Sequence, residues 1–175
     1  LIIALRFLGS GEEHFVKEAW VWMAVGGFDA SFNFYLDGLS LTMMLIITGI
    51  GFLIHLYATG YMADDPNYSR FFSYMNLFVA AMLMLVLGDN LVVLYLGWEG
   101  VGLCSYLLIG FWYTNPENGY AARKAFVVTR VGDTSMAIGL FLLFASLGTL
   151  SIQDMLHAAE TQWAVGSGLA VAVSL

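Results

Sequence analysis

The chain has 175 residues, of which 60% are hydrophobic and 11% charged, and its formal net charge is -7. An average soluble domain carries about 25% charged residues; here the few charges stand in short islands between long apolar stretches, which excludes a soluble enzyme and indicates a polytopic membrane protein. The acidic balance argues against nucleic-acid binding, and no run of basic residues reads as an anionic-lipid patch.

Residues 1–8 read as the tail of a spanning helix, because they lack the basic start and small-residue cleavage site of a signal peptide. The chain opens at Leu1 and stops at Leu175 inside an apolar stretch, so it reads as a fragment of a longer protein. Residues 9–37 form the longest polar connection. Within it Phe28, Phe32, Phe34 and Leu36 alternate with Asp29, Ser31, Asn33 and Tyr35, a period of two that predicts a β-hairpin turning at Gly26 and Gly27. Spanning helices are predicted over 38–62, 70–88, 90–113 and 120–147. They are separated by an Asp-Asp-Pro-Asn turn island, by Gly88-Asp89-Asn90, and by a connection containing Pro116 and Gly119. An amphipathic link over 151–161 leads to the start of a further spanning helix at 163–175. Thirteen Phe, nine Tyr and five Trp suit a bundle bounded by two membrane interfaces.

Counting crossings, the connections near Arg70 and near Arg123 and Lys124 fall on one side. The hairpin, the Gly88 turn and the 148–161 link fall on the other, with Lys17. The positive-inside rule puts the first side in the cytoplasm and the hairpin outside.

Glu99 stands near the middle of the 90–113 run, which has no other charge. An acid there costs about 2.5 to 3.5 kcal/mol on insertion scales, so it is retained where it carries a function. On a helical wheel Tyr95, Gly102, Leu103 and Tyr106 share its face, with Gly102 leaving room for a neighbouring helix. Low dielectric favours the neutral acid and an approaching cation favours the charged one, so Glu99 can load and release a proton. A fixed ion pair locking two helices is the structural alternative.

On the next helix Arg130 and Asp133 are about 60° apart, placed for an i,i+3 pair, either as a structural device or as a link that exchanges partners with Glu99. Arg123 and Lys124 read as snorkelling side chains at the cytoplasmic end. His55 has the titration range of a relay group but reads first as a packing residue. Asp37 and Asp89 precede helices and read as caps. The single cysteine, Cys104, allows no intrachain disulfide or all-cysteine cluster and reads as packing. No G-x-G-x-x-G or Walker A sequence occurs, so redox or nucleotide chemistry belongs to partners.

Leu96-Gly-Trp-Glu-Gly-Val-Gly-Leu-Cys-Ser-Tyr-Leu-Leu-Ile-Gly-Phe111, followed by Lys124-Ala-Phe-Val-Val-Thr-Arg-Val-Gly-Asp133, resembles the NuoL-type antiporter-like membrane subunits of respiratory complex I. Phe34-Tyr-Leu-Asp-Gly-Leu-Ser-Leu-Thr42 and Tyr68-Ser-Arg-Phe-Phe72 fit the same pattern. The resemblance implies an all-α polytopic bundle, part of an antiporter-like inverted-repeat fold, with a small extracytoplasmic β-hairpin. It implies proton translocation in a bacterial inner membrane, with the mitochondrial inner membrane second, as a subunit of NADH:quinone oxidoreductase. Glu99 matches the family's essential membrane glutamate, Asp133 an aspartate implicated beside it, Arg130 a member of the same motif, and Lys124 a basic position. In the family a lysine on the following broken helix pairs with the glutamate; this chain stops before it. The implied partners are the other membrane-arm subunits, above all the neighbouring antiporter-like subunit, with the lipid bilayer and protons. No cofactor is implied in this chain, while FMN, iron–sulfur clusters and quinone are implied in partner subunits. An Mrp-like sodium/proton antiporter subunit and a non-transporting membrane scaffold remain the alternatives.

Overall fold

The computed structural model describes residues 2–26 and 28–162. The elements in chain order are α1 (Ile2–Ser10), a hairpin of β1 (His14–Val25) and β2 (Phe28–Asp37), then α2 (Gly38–Tyr61), α3 (Tyr68–Leu87), α4 (Leu91–Ile109), α5 (Pro116–Leu147) and α6 (Ile152–Gln162). The helix expected to start at 163–175 lies outside the described residues. Helices α2 to α5 are each long and apolar enough to cross a membrane. The chain is a multi-pass integral membrane protein, a helix bundle with one small antiparallel sheet.

The hairpin is longer than the alternating pattern predicts, because β1 begins at His14, paired with Asp37. Register shifts between Glu18 and Trp20 and between Val21 and Met23 break the period of two along β1, as bulges do. Its side chains are all exposed. The alternation survives on β2, where Ala30, Phe32 and Leu36 are buried. Trp20 stacks on Phe32 with ring centroids 4.6 Å apart.

Local chemistry fixes the helix ends. Asp37 caps α2 in a capping box, accepting from Ser40 N at 2.8 Å while Ser40 Oγ accepts from Asp37 N at 2.8 Å. The Ser40 backbone bond is the main reason the Asp37 carboxyl titrates below the ordinary aspartate range. For α4 the capping residue is Asn90, not Asp89: Asn90 Oδ1 accepts from Val93 N at 3.0 Å. Asp89 instead contributes backbone bonds, its N donating to Asn33 O and its O accepting from Ile152 N. Helix α5 begins at Pro116, earlier than the expected residue 120, because Asn115 caps it and Pro116 occupies the first turn, where a missing N–H is harmless. It ends at Gly148, whose φ of 71° supplies the left-handed cap.

The spans pack in the order α2, α3, α4, α5. Between α3 and α4 the approach is very close: a Cβ on Gly97 would fall 2.5 Å from Leu85 N, and one on Gly100 would fall 2.9 Å from Ala81 Cβ. Small residues permit this backbone contact, as in other membrane helix pairs. Cys104 continues the face fully buried, a packing residue.

The two ends of the bundle are tied differently. At one, Asn90 Nδ2 donates to Ser31 O at 2.7 Å and Leu91 N to Leu150 O at 2.9 Å, joining the hairpin, the α3–α4 turn and the α5–α6 link. At the other, Arg70 Nη2 donates to Phe111 O at 3.1 Å and Trp112 Nε1 to Asp65 Oδ2 at 2.8 Å. The Trp112 bond, then the Asn67 N–H, hold the Asp65 carboxyl below the ordinary range. Many large apolar side chains on α2, α4 and α5 stay exposed, among them Ile50, Phe52, Leu53, Leu103, Val131 and Phe141, as hydrocarbon or further helices require.

Candidate functional site: two carboxylates and one guanidinium

Glu99 lies near the middle of α4, and the long helix α5 runs beside it. Arg130 on α5 forms an ion pair with it through Nη1 and Oε2. The same Nη1 lies 3.5 Å from Asp133 Oδ2, one turn further along α5. Arg130 Nη2 also approaches the backbone carbonyl of Glu99 at 3.4 Å. One guanidinium is thus shared between two carboxylates on different helices.

The surroundings hold this arrangement from both sides. The Arg130 guanidinium sits 4.4 Å from the centroid of Phe126, a cation–π contact, and Tyr106 packs on Phe126 with centroids 5.2 Å apart. Trp98 Nε1 donates to Asp133 Oδ1 at 2.7 Å, and the Tyr95 hydroxyl reaches the Asp133 carbonyl at 3.4 Å. Side-chain exposure falls from 29% at Arg130 to 23% at Glu99 and 6% at Asp133. Gly102 faces the guanidinium, and a Cβ there would make only an ordinary contact, 3.7 Å from Arg130 Nη2. A cavity of about 420 Å³ opens beside the cluster, with Ser105 and Thr129 in its wall as well as Trp98 and Asp133.

Counted formally, two carboxylates and one guanidinium leave one net negative charge. In a low-dielectric interior such an excess charge is costly, and one proton removes it.

Of the residues singled out from sequence, the fold brings Glu99, Arg130 and Asp133 together. Lys124 is not with them: it is exposed on α5, beside Tyr120, Arg123 and Val127, and among the described residues it has no ion pair. Six residues before Arg130, it stands about 9 Å further along the helix axis. His55 is also elsewhere, between α2 and α3, with Nδ1 2.7 Å from Gly51 O and its ring against Phe72. Among the described residues no three His, Cys, Asp or Glu side chains gather to hold a metal ion. The residues that sequence reading missed are Trp98 and Phe126. Only the adjacency of Trp98 to Glu99 pointed toward the first, whose bond to Asp133 crosses from α4 to α5, whereas Phe126 meets Arg130 four residues on within α5, a spacing that the sequence carries.

Residues 88–175 match the family described as NADH:quinone oxidoreductase/Mrp antiporter, TM. The chain belongs to this family. Residues 22–72 match a second description, NADH-Ubiquinone oxidoreductase (complex I), chain 5 N-terminus. Among individual relatives, NADH-quinone oxidoreductase subunit L of Escherichia coli (strain K12) is 56% identical over 167 residues, covering 95% of this chain and 27% of the relative. The Pseudomonas aeruginosa subunit L is 62% identical over 148 residues, covering 85% of this chain and 24% of the relative. The chain thus spans about a quarter of the length of the curated relatives it matches. Among solved structures, the Mrp complex from Dietzia sp. superposes with a TM-score of 0.84 at 27% identity, over 98% of this chain and 18% of that one. An archaeal membrane-bound sulfane sulfur reductase, at 22% identity and a TM-score of 0.63 over 87% of this chain and 23% of that one, shares the fold. The NADH:quinone oxidoreductase/Mrp match includes α4 and α5, and so the whole carboxylate–guanidinium cluster.

Proposed function

We propose that the protein carrying this chain translocates protons as an antiporter-like subunit of a bacterial inner-membrane NADH:quinone oxidoreductase, and that Glu99, Arg130 and Asp133 are its proton-carrying groups. The observation that carries this reading is the sharing of one guanidinium by two carboxylates, Glu99 half-buried and Asp133 buried. When Arg130 neutralises one carboxylate the other carries the excess charge and accepts a proton; when the guanidinium shifts, the proton is released. The arginine itself stays charged throughout.

In this reading protons reach Glu99 from the side bearing Arg70, Arg123 and Lys124, which the positive-inside rule makes cytoplasmic. Lys124 serves at that entrance and not within the cluster. Energy comes from quinone chemistry in partner subunits, which hold the FMN, iron–sulfur clusters and quinone, and this chain binds no redox cofactor. Other membrane-arm subunits, including a neighbouring antiporter-like one, cover the apolar faces left exposed here. An Mrp-type sodium/proton antiporter is the second reading, favoured by the superposition on the Dietzia Mrp complex; the higher identity to subunit L supports the first.

The test is quinone-linked proton pumping in vesicles by the intact complex carrying Glu99→Gln, recorded beside NADH oxidation. Loss of pumping in a normally assembled complex supports the proposal. Unchanged pumping makes Glu99 structural and leaves the scaffold reading in its place.

A further inference from the structure

We infer that the groove beside Arg70, at the end of the bundle that the positive-inside rule makes cytoplasmic, is a binding site for the phosphodiester headgroup of a phospholipid. It lies apart from the Glu99 cluster and does not depend on what that cluster carries.

Arg70 stands in the first turn of α3. Its guanidinium carbon lies over two rings, 4.8 Å from the centroid of Phe111 and 5.1 Å from that of Tyr113. Aromatic contact of this kind fixes the plane of the group and leaves its in-plane N–H groups for acceptors. Among the described residues those donors make one hydrogen bond, from Nη2 to Phe111 O at 3.1 Å, and the enclosed Nε has no acceptor. No carboxylate answers the charge either, because Arg70 has no ion pair among the described residues. Asp65 is near enough to feel it, but its Oδ1 accepts from Asn67 N at 2.7 Å and its Oδ2 from Trp112 Nε1 at 2.8 Å.

The unanswered cation borders open space. A cavity of about 230 Å³ is lined by Arg70 together with Tyr74, Tyr106, Leu107, Gly119 and Ala122. Two glycines shape it. A Cβ on Gly110 would lie 3.1 Å from Ala122 Cβ, so α5 comes close to the end of α4 there, whereas a Cβ on Gly119 would meet nothing within 4 Å. A held arginine with donors to spare suits phosphate oxygens, and the tyrosines are of the kind that sit at headgroup level. Leu107 and Ala122 add an apolar wall for the glycerol and its first methylenes. A soluble anion would use the charge and gain nothing from that wall, so the lipid is the assigned source. One arginine placed by the fold supplies a lipid contact that no run of basic residues in the sequence offers.

The test titrates the intact complex, in dodecyl maltoside micelles, with phosphatidylglycerol carrying a diazirine next to its glycerol. After illumination, mass spectrometry measures the label on the peptides that line the groove. Half-maximal labelling should need at least about tenfold more lipid in Arg70→Gln, the worth of a charge-assisted hydrogen bond. The same shift is expected in Gly119→Leu, which fills the groove and leaves Arg70 and its bond to Phe111 O in place. Arg123→Gln, which removes an equal charge from the same side, should leave the titration where it was. A diacylglycerol with the same diazirine and no phosphate should label every form weakly and alike. An unlabelled groove in the wild-type complex would overturn the inference, as would labelling that survives either of the first two variants, falls equally in Arg123→Gln or is matched by the diacylglycerol. Inorganic phosphate that displaces the probe as well as unlabelled phosphatidylglycerol does would make a free anion the ligand and overturn the lipid assignment.

Discussion

Gly97 and Gly102 lie five residues apart on α4 and should respond oppositely to one added methyl group. A Cβ on Gly97 would meet Leu85 N at 2.5 Å, Leu85 Cα at 2.7 Å and Leu85 Cβ at 2.8 Å, so α3 and α4 must part by about 0.9 Å to restore an ordinary 3.4 Å contact. Two of those atoms belong to the helix backbone and cannot swing aside. Overpacking of this kind costs about 1 to 3 kcal/mol. A span in hydrocarbon keeps its helix even when separated from neighbours, so the gain of roughly 1 kcal/mol in helix propensity from Gly to Ala largely cancels. We therefore expect Gly97→Ala to weaken the α3–α4 contact by about 2 kcal/mol. Gly102→Ala, whose new methyl would meet only Arg130 Nη2 at 3.7 Å, should be close to neutral. Cys104 is a native reporter, fully buried on the same helix. Its maleimide labelling in the intact complex, followed by mass spectrometry of its peptide, should accelerate about thirtyfold in Gly97→Ala and stay near the wild-type rate in Gly102→Ala. Equal rates in the two variants would refute the argument that backbone proximity sets this interface.

Arg130→Lys should assemble but pump fewer protons per electron, because an ammonium lacks the planar fork that serves two carboxylates together; normal coupling would deny the guanidinium its shared role. Asn90→Ala loses both the cap on Val93 N and the bond to Ser31 O and should cost about 2 kcal/mol. Asn90→Ser keeps a capping oxygen and loses only the bond to Ser31 O, so it should cost about half as much, read by hydrogen exchange at the first turn of α4. At the membrane surface the Asp37 carboxyl, held low mainly by the Ser40 N–H, stabilises the start of α2 above the ordinary aspartate range. That contribution should fade as pH falls through its depressed value, and Ser40→Ala, which removes the reciprocal half of the capping box, should move the titration upward.

What the sequence revealed was whatever depends on neighbours in the chain. The apolar runs marked the four spans, and Glu99 was conspicuous as the only charge in its run. The pairing of Arg130 with Asp133 was legible because it spans one helical turn. Its link to Glu99 was foreseen only as an exchange of partners, since 31 residues separate them and only the packing of α4 on α5 shows both contacts at once. For the same reason Trp98 passed unnoticed, although its indole holds Asp133. The hairpin around Gly26 and Gly27 was legible, but the reach of its first strand back to His14 was hidden by two bulges, and the cap of α4 fell to Asn90 because the chain adds one backbone pairing at Asp89 before the helix starts.

The most direct test of the central claim is proton pumping per electron by the intact complex carrying Glu99→Gln together with Arg130→Gln. The double replacement removes both ion pairs of Arg130 while keeping the cluster's formal net charge, which then rests on Asp133 alone, held by the Trp98 N–H. If the cluster carries protons, the complex assembles and transfers electrons but does not pump at the wild-type ratio. Wild-type pumping in that variant would mean that the pair only joins two helices, and the account of a shared guanidinium moving a proton would be wrong.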